Sequence, residues 1–197
     1  MNTVHVEEKG STMNPGATSK AAIMQVCRRI AAQEGLSALS MRTVARACGV
    51  ALGTLYNYYA DKDALLIATV ESIWQEIFHT DAVSLTERPF PEQVASLFDC
   101  VRRGTQRYPG FLGAHSMVIA GARKGEARRA MEACFAHMKA GLLAGLAADP
   151  AVNPAAFSDA FTPSDLVDFA LDHLLLLLMK GEEDCAPLTE LLRRAIR

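Results

Sequence analysis

The sequence predicts an all-α fold in two parts, with a three-helix domain over residues 18–63 followed by a larger helical domain over residues 64–197. Three observations carry that expectation. Apolar residues recur at helical spacing along the chain, and no stretch shows the period-two alternation of a half-buried strand. Residues 40–59, SMRTVARACGVALGTLYNYY, read as two short helices pivoting on a glycine. Residues 169–179, FALDHLLLLLM, are apolar nearly all round, so a helix there has to be covered on several sides.

Residues 1–17, rich in Gly, Ser, Asn, Thr and Pro, are expected to form a disordered tail without a hydrophobic leader. The first helix spans about residues 18–34, with Ile23, Val26, Cys27, Ile30 and Ala31 as its apolar stripe and Gly35 as its stop. Ser40 is a good N-cap for the second, because its hydroxyl accepts a backbone N–H that the first turn leaves without a partner. Met41, Val44, Ala45 and Cys48 follow at helical spacing. Gly49 suits the left-handed conformation that ends a helix and turns the chain, and Val50 plugs the corner. In the third helix Leu55 and Tyr59 lie four apart on an inward face, which leaves Thr54, Tyr56, Asn57 and Tyr58 to supply outward groups. Hydroxyls, an amide and phenols suit phosphates and base edges, so this segment has the make-up of a DNA reader.

Asp61 is placed to cap a long fourth helix whose Leu66, Val70, Ile73 and Ile77 form one face, widened by Trp74 and Phe78. After the break at residues 87–91, ERPFP, a fifth helix is expected from Pro91 to Tyr108, and Pro109-Gly110 ends it. A short apolar helix over 111–122 and a longer one over 126–148 follow, the latter with Met131, Phe135, Met138 and Leu142 on one face. Residues 149–163, with three prolines, read as a loop. The last two helices hold the 169–179 run and a stripe of Leu188, Leu191, Leu192, Ala195 and Ile196. A four-helix contact between these two helices and their copies would cover that surface, with Leu171, Leu174, Leu175, Leu178, Leu188, Leu191, Leu192 and Ala195 inside; the alternative is an ordinary core within one chain.

Half of the residues are hydrophobic, and the formal net charge of −2 does not mark a nucleic-acid binder. The distribution does: residues 18–62 carry six Lys or Arg against two acids, while residues 63–197 carry thirteen against eighteen. Cys27, Cys48, Cys100, Cys134 and Cys185 are odd in number and without a CxxC, as in a reduced, cytoplasmic protein. No apolar run reaches the length of a membrane span. GVALGT at 49–54 lacks the third glycine and the Lys-Ser or Lys-Thr of a phosphate loop. Cys134, His137, His115 and His173 lack the paired ligand spacing of a metal site, and Ser116, Asp165 and His173 lack the nucleophile elbow of a hydrolase. No cofactor or metal is expected, and no set of catalytic groups argues for an enzyme.

Residues 20–66 resemble the DNA-binding domain of the TetR family of bacterial transcriptional regulators. The resemblance rests on Gly35, Ser40, Arg42, Ala45, Gly49, Val50, Gly53, Thr54, Leu55, Tyr56, Tyr58, Tyr59 and Lys62. Thr43 departs from it where an acid is common, Asn57 where His is common, and Ala51 and Leu52 where Ser and Lys are common. It implies a ligand-responsive regulator, a repressor, that binds a palindromic site on double-stranded DNA as a homodimer. Thr54, Asn57 and Tyr58 are expected at base edges, and Ser40, Thr43, Tyr56 and Lys62 at phosphates. Arg42 suits either, and Gly53 lies among them. The resemblance also favours an apolar effector site lined by Phe98, Phe111, His115, Phe135, Met138, Phe169 and His173, residues that periodicity alone assigns equally well to a core. The rivals are an architectural DNA-binding protein without an effector and an all-helical enzyme.

Overall fold

The computed structural model describes residues 18–80, 88–113 and 124–197, without the side chains of 79, 80, 124–131, 133 and 134. The expected tail, most of the helix expected at 111–122, and the side chains of His115, Ser116, Met131 and Cys134 lie outside the described residues. Among the described residues the structure is helical, with one isolated antiparallel bridge between Ser158 and Phe161.

Three helices make the head: α1 (Lys20–Glu34), α2 (Met41–Ala47) and α3 (Leu52–Tyr56). Ser19 caps α1 by accepting from the Ala22 N–H, and Gly35 stops it at φ +81°. Ile23, Cys27 and Ile30 of α1, Met41 and Val44 of α2, Leu55 of α3 and Tyr59 are buried together, in a core continuous with that of the body. The long α4 (Lys62–Thr80) then runs from head to body, started by the Asp61 carboxylate, which accepts from the Ala64 N–H at 2.9 Å.

The body is built from α4 with α5 (Phe90–Gln106), α6 (Lys124–Ala148), α7 (Pro163–Lys180) and α8 (Ala186–Ala195). On α4 the buried face is Leu65, Thr69, Val70, Ile73, Trp74 and Ile77, so the expected Leu66 gives way to Leu65, and Leu66 is half-buried. The other expected positions, Val70, Ile73, Trp74 and Ile77, are buried as read. Helix α5 begins at Phe90, one residue before the expected proline, because the Asp149 carboxylate reaches back to accept the Phe90 N–H at 2.6 Å. Helices α4 and α5 approach closely at Gly104, where a Cβ would lie 2.6 Å from Ile77 Cγ1. A capping box of Thr162 and Asp165 starts α7, and Gly181 ends it in the left-handed region at φ +76°.

The last two helices do not lie as expected. Leu188, Leu192 and Ile196 of α8 and Leu171, Leu174 and Leu178 of α7 are buried within the single chain. Each such burial contributes roughly 1.5–3 kcal/mol to the subunit's own stability. Of the residues expected between subunits, only Leu175 is half-buried and Leu191 and Ala195 are exposed. Packing of α8 on α5 is the reason: it turns the Leu188/Leu192/Ile196 edge inward. What remains outside is a different row, in which Phe169 is 46% exposed, Leu176 43%, Met179 60% and Leu191 50%.

Candidate nucleic-acid interface

Two hydroxyls fix the start of α2. Ser40 Oγ accepts the Thr43 N–H at 3.0 Å and lies 2.7 Å from Thr43 Oγ1, so both side chains are committed to the cap while remaining partly exposed. The turn to α3 is as tightly specified. Gly49 stands at φ +67°, its N–H bonds to the Arg46 carbonyl at 3.1 Å, and the Val50 N–H bonds to the Ala45 carbonyl at 3.0 Å. These are the paired bonds that a glycine-ended helix uses to satisfy its last carbonyls. Val50 packs against the core at the corner, and Leu55, fully buried, anchors α3.

This scaffold leaves one surface of the head polar and open. Arg42 and Arg46, one turn apart on α2, are exposed; so are Gly53 and Asn57 and, at the start of α4, Lys62. Tyr56 is 50% exposed, and a Cβ placed on Gly53 would meet nothing within 4 Å. Thr54 is half-buried. Tyr58 differs from its expected placement: it is half-buried, and its hydroxyl donates to the Thr18 carbonyl at 2.5 Å, tying α3 to the chain just before α1. The open surface of α3 and the residue after it is thus Gly53, Tyr56 and Asn57, with Thr54 half-buried beside them. Tyr59 is buried with the Lys20 ammonium 5.8 Å from its ring centroid, and burial pushes its phenol pKa up. Arg46 was not singled out from the sequence, although its spacing of four from Arg42 puts both on one helical face.

The aromatic residues expected around an effector do not gather in one place. Phe98, Phe111 and Met138 are buried and Phe135 is half-buried in the body. Trp74, read from the sequence only as widening a helix face, is their hub: its ring stacks on Phe78 at 5.5 Å and meets Phe111 edge-on at 5.3 Å and Phe135 at 6.2 Å. Phe169 and His173 instead stack on each other, 5.9 Å apart, on the outer side of α7. Aromatic type and helical spacing are the same in both places, and only the packing of α7 on α6 separates them. Among the described residues no three His, Cys, Asp or Glu side chains cluster as metal ligands, and no helix is long and apolar enough to cross a membrane.

Residues 23–69 match the sequence model of bacterial regulatory proteins of the tetR family. A curated relative, an uncharacterized HTH-type transcriptional regulator of Haemophilus influenzae, is 32% identical over 91 residues, which are 46% of this chain and 49% of that one. The match thus spans about half the length of the relative. Among solved structures, the chain is similar to the multidrug binding protein EbrR complexed with imidazole, with a TM-score of 0.60 and 21% identity over 90% of this chain and 94% of that one. It is similar also to the transcriptional regulator FadR from Bacillus subtilis in complex with stearoyl-CoA, with a TM-score of 0.62 and 13% identity over 90% and 98% of the two chains. At these identities the likeness to the solved structures is one of fold.

Proposed function

We propose that this chain, whose residues 23–69 match the sequence model of the tetR family of bacterial regulatory proteins, is a member of that family and a ligand-responsive repressor that binds a palindromic operator as a homodimer. The observation that carries the DNA reading is the open surface of the head. A five-residue helix is locked by the Gly49 turn and Leu55, and Gly53, Tyr56 and Asn57 are exposed, as are the cations Arg42 and Arg46 of α2 and Lys62 at the start of α4. An exposed glycine lets the backbone approach a groove, the Asn57 amide has the donor and acceptor pair that suits an adenine edge, and the cations suit phosphates. Thr54 supplies a hydroxyl at the rim. Ser40 and Thr43, engaged with each other, reach phosphates with what capacity their cap leaves. Tyr58 positions α3 and does not read bases.

Dimerisation through the exposed row of Phe169, Leu176, Met179 and Leu191 would bury what the single chain leaves uncovered. The two recognition helices would then enter major grooves about 34 Å apart, one helical turn of DNA, or a multiple of that. The ring cluster of Trp74, Phe78, Phe111 and Phe135 supports an effector site within the body beside it, and a mainly apolar molecule suits those side chains. The solved neighbour in complex with stearoyl-CoA supports a body that accepts such a molecule.

The test is to recover genomic fragments bound by the purified protein and measure affinity against salt. A palindromic site is expected, and Lys62→Ala should weaken binding to every sequence while reducing the salt slope by about one unit. Asn57→Ala should relax sequence preference instead. Binding that is indifferent to sequence in the unaltered protein would favour an architectural role, and affinity unchanged by both variants would remove this surface from DNA contact.

A further inference from the structure

We propose that Tyr108, at the far end of α5 in the body, is a positioning residue of the head that sets its angle through Glu76 and Arg28. The seam between α1 and α4 is largely apolar, with Ile23, Cys27 and Ile30 set against the α4 face that includes Leu65, Thr69 and Val70. Apolar contact is non-directional: it fixes how much surface is covered and leaves rotation about the seam weakly determined. Cys27 of α1 is hydrogen-bonded to Thr69 of α4 within that seam, and among the described residues the charged contacts that orient it gather at Glu76. Arg28 of α1 places Nε 2.8 Å from Glu76 Oε2, and its Nη1 donates to Ser72 Oγ, both on α4. From the body, the Tyr108 hydroxyl donates to the other carboxylate oxygen, Glu76 Oε1, at 2.9 Å, and Arg107 Nη1 lies 3.8 Å from that same oxygen.

Glu76 is therefore shared, one oxygen facing the head and one the body. A carboxylate held at both oxygens by charge-assisted bonds has little freedom to swing, so it presents Arg28 with a fixed partner. The Tyr108 ring is 4% exposed, and burial together with the bond to Glu76 pushes its phenol pKa up to about 12, so it remains a donor across the neutral range. A second contact lies beside the first. The Pro109 carbonyl oxygen comes 3.6 Å from where a Cβ on Gly35 would stand, so the turn after α5 also abuts the end of α1. The same turn carries Phe111, whose ring is 6.2 Å from Tyr108 and 5.3 Å from Trp74, which connects the junction to the aromatic interior of the body.

Tyr108→Phe keeps the ring and removes only the bond, and Arg28→Gln cuts the junction on the head side. The head-to-body distance is to be measured between spin labels carried on non-thiol unnatural residues at the exposed positions Ala47 and Asp184, in full-length protein diluted with unlabelled chains. Each variant should enlarge a displaced-head population by about tenfold, the effect of losing one hydrogen bond to a charged group. The double variant should be no broader than either single one, because both act through one junction. A merely structural tyrosine would lower the melting temperature without broadening the distances. The second readout, which rests on the proposed DNA binding, is discrimination between operators whose half-site spacing differs by one or two base pairs. Tyr108→Phe should reduce it about fivefold, at the lower end of ordinary coupling between sites. Unchanged distances in Tyr108→Phe, or broadening that adds in the double, would overturn the proposal. An unaltered protein that binds no DNA would overturn the proposed function, and the label distances would still decide the junction.

Discussion

In the head, each apolar position has one place to go, and in the body it has two. Ile23, Cys27, Ile30, Met41, Val44, Leu55 and Tyr59 all turn into the core beneath three short helices. In α7 the same residue type divides: Leu174 is 1% exposed and Leu176, half a turn on, is 43% exposed. Small domains offer a single interior, and periodicity suffices to find it. A helix that is apolar all round has an interior side and a side left for something else, and hydropathy alone does not say which is which.

The largest expected effect separates the two sides of the body. Leu192 is fully buried in its own subunit, so Leu192→Glu should strand an unpaired charge in the core, cost about 3–5 kcal/mol, and unfold the body rather than split a dimer. Leu176→Glu, on the open row, should leave a folded protein that sediments as a monomer. Circular dichroism melting with sedimentation of both variants checks the pair. A folded, monomeric Leu192→Glu protein would return α8's buried edge to the subunit contact, and a dimeric Leu176→Glu protein would take the open row out of it.

Much of the head was legible because tight turns demand particular residues. Ser40 and Asp61 cap the helices they were expected to cap, and Gly49 has the positive φ that ends α2. Two placements differ from expectation because of contacts made elsewhere along the chain. Leu65 replaces Leu66 on the buried face because α1 packs on α4, and Tyr58 turns back because the Thr18 carbonyl is within its reach. Neither partner is near in sequence. In the body the existence of the helices was legible, but Phe169 and His173 were grouped with Phe111 and Phe135 because all are aromatic at helical spacing. Trp74 as a hub, and Glu76 between Arg28 and Tyr108, depend on contacts across three helices that no spacing encodes.

A smaller effect tests how far the head depends on its caps. Ser40→Ala removes the acceptor for the Thr43 N–H and should cost about 1 kcal/mol of stability. Because α2 carries Arg42 and leads into the Gly49 turn, DNA affinity should fall with it. Ser40→Asp, which restores an acceptor, should recover the melting temperature and leave a DNA deficit from the added negative charge. Recovery of neither would show that the hydroxyl pair of Ser40 and Thr43, and not the cap, is what matters.

The smallest effect compares that cap with its counterpart in the body. Ser40 uses a hydroxyl, which does not titrate in the accessible range, whereas α7 starts with a carboxylate. The Thr162 hydroxyl and N–H both donate to Asp165 Oδ2 at 2.7 Å, and these two bonds hold the Asp165 carboxyl below its ordinary pKa. A carboxyl lowered by folding contributes its stability above its unfolded value and loses it as pH falls through the lowered one. The start of α7 should therefore stay intact at neutral and mildly acidic pH and loosen only below the ordinary carboxylate range, while the start of α2 should not respond. The amide resonances of Thr162 and Thr43 followed against pH check this. Thr162 should titrate with a midpoint below that of a free aspartate, and Asp165→Asn should abolish the transition without touching Thr43. A Thr162 midpoint at or above the ordinary carboxylate value would mean that the box is not closed in solution, and a matching transition at Thr43 would mean that both amides report general acid unfolding rather than their own caps.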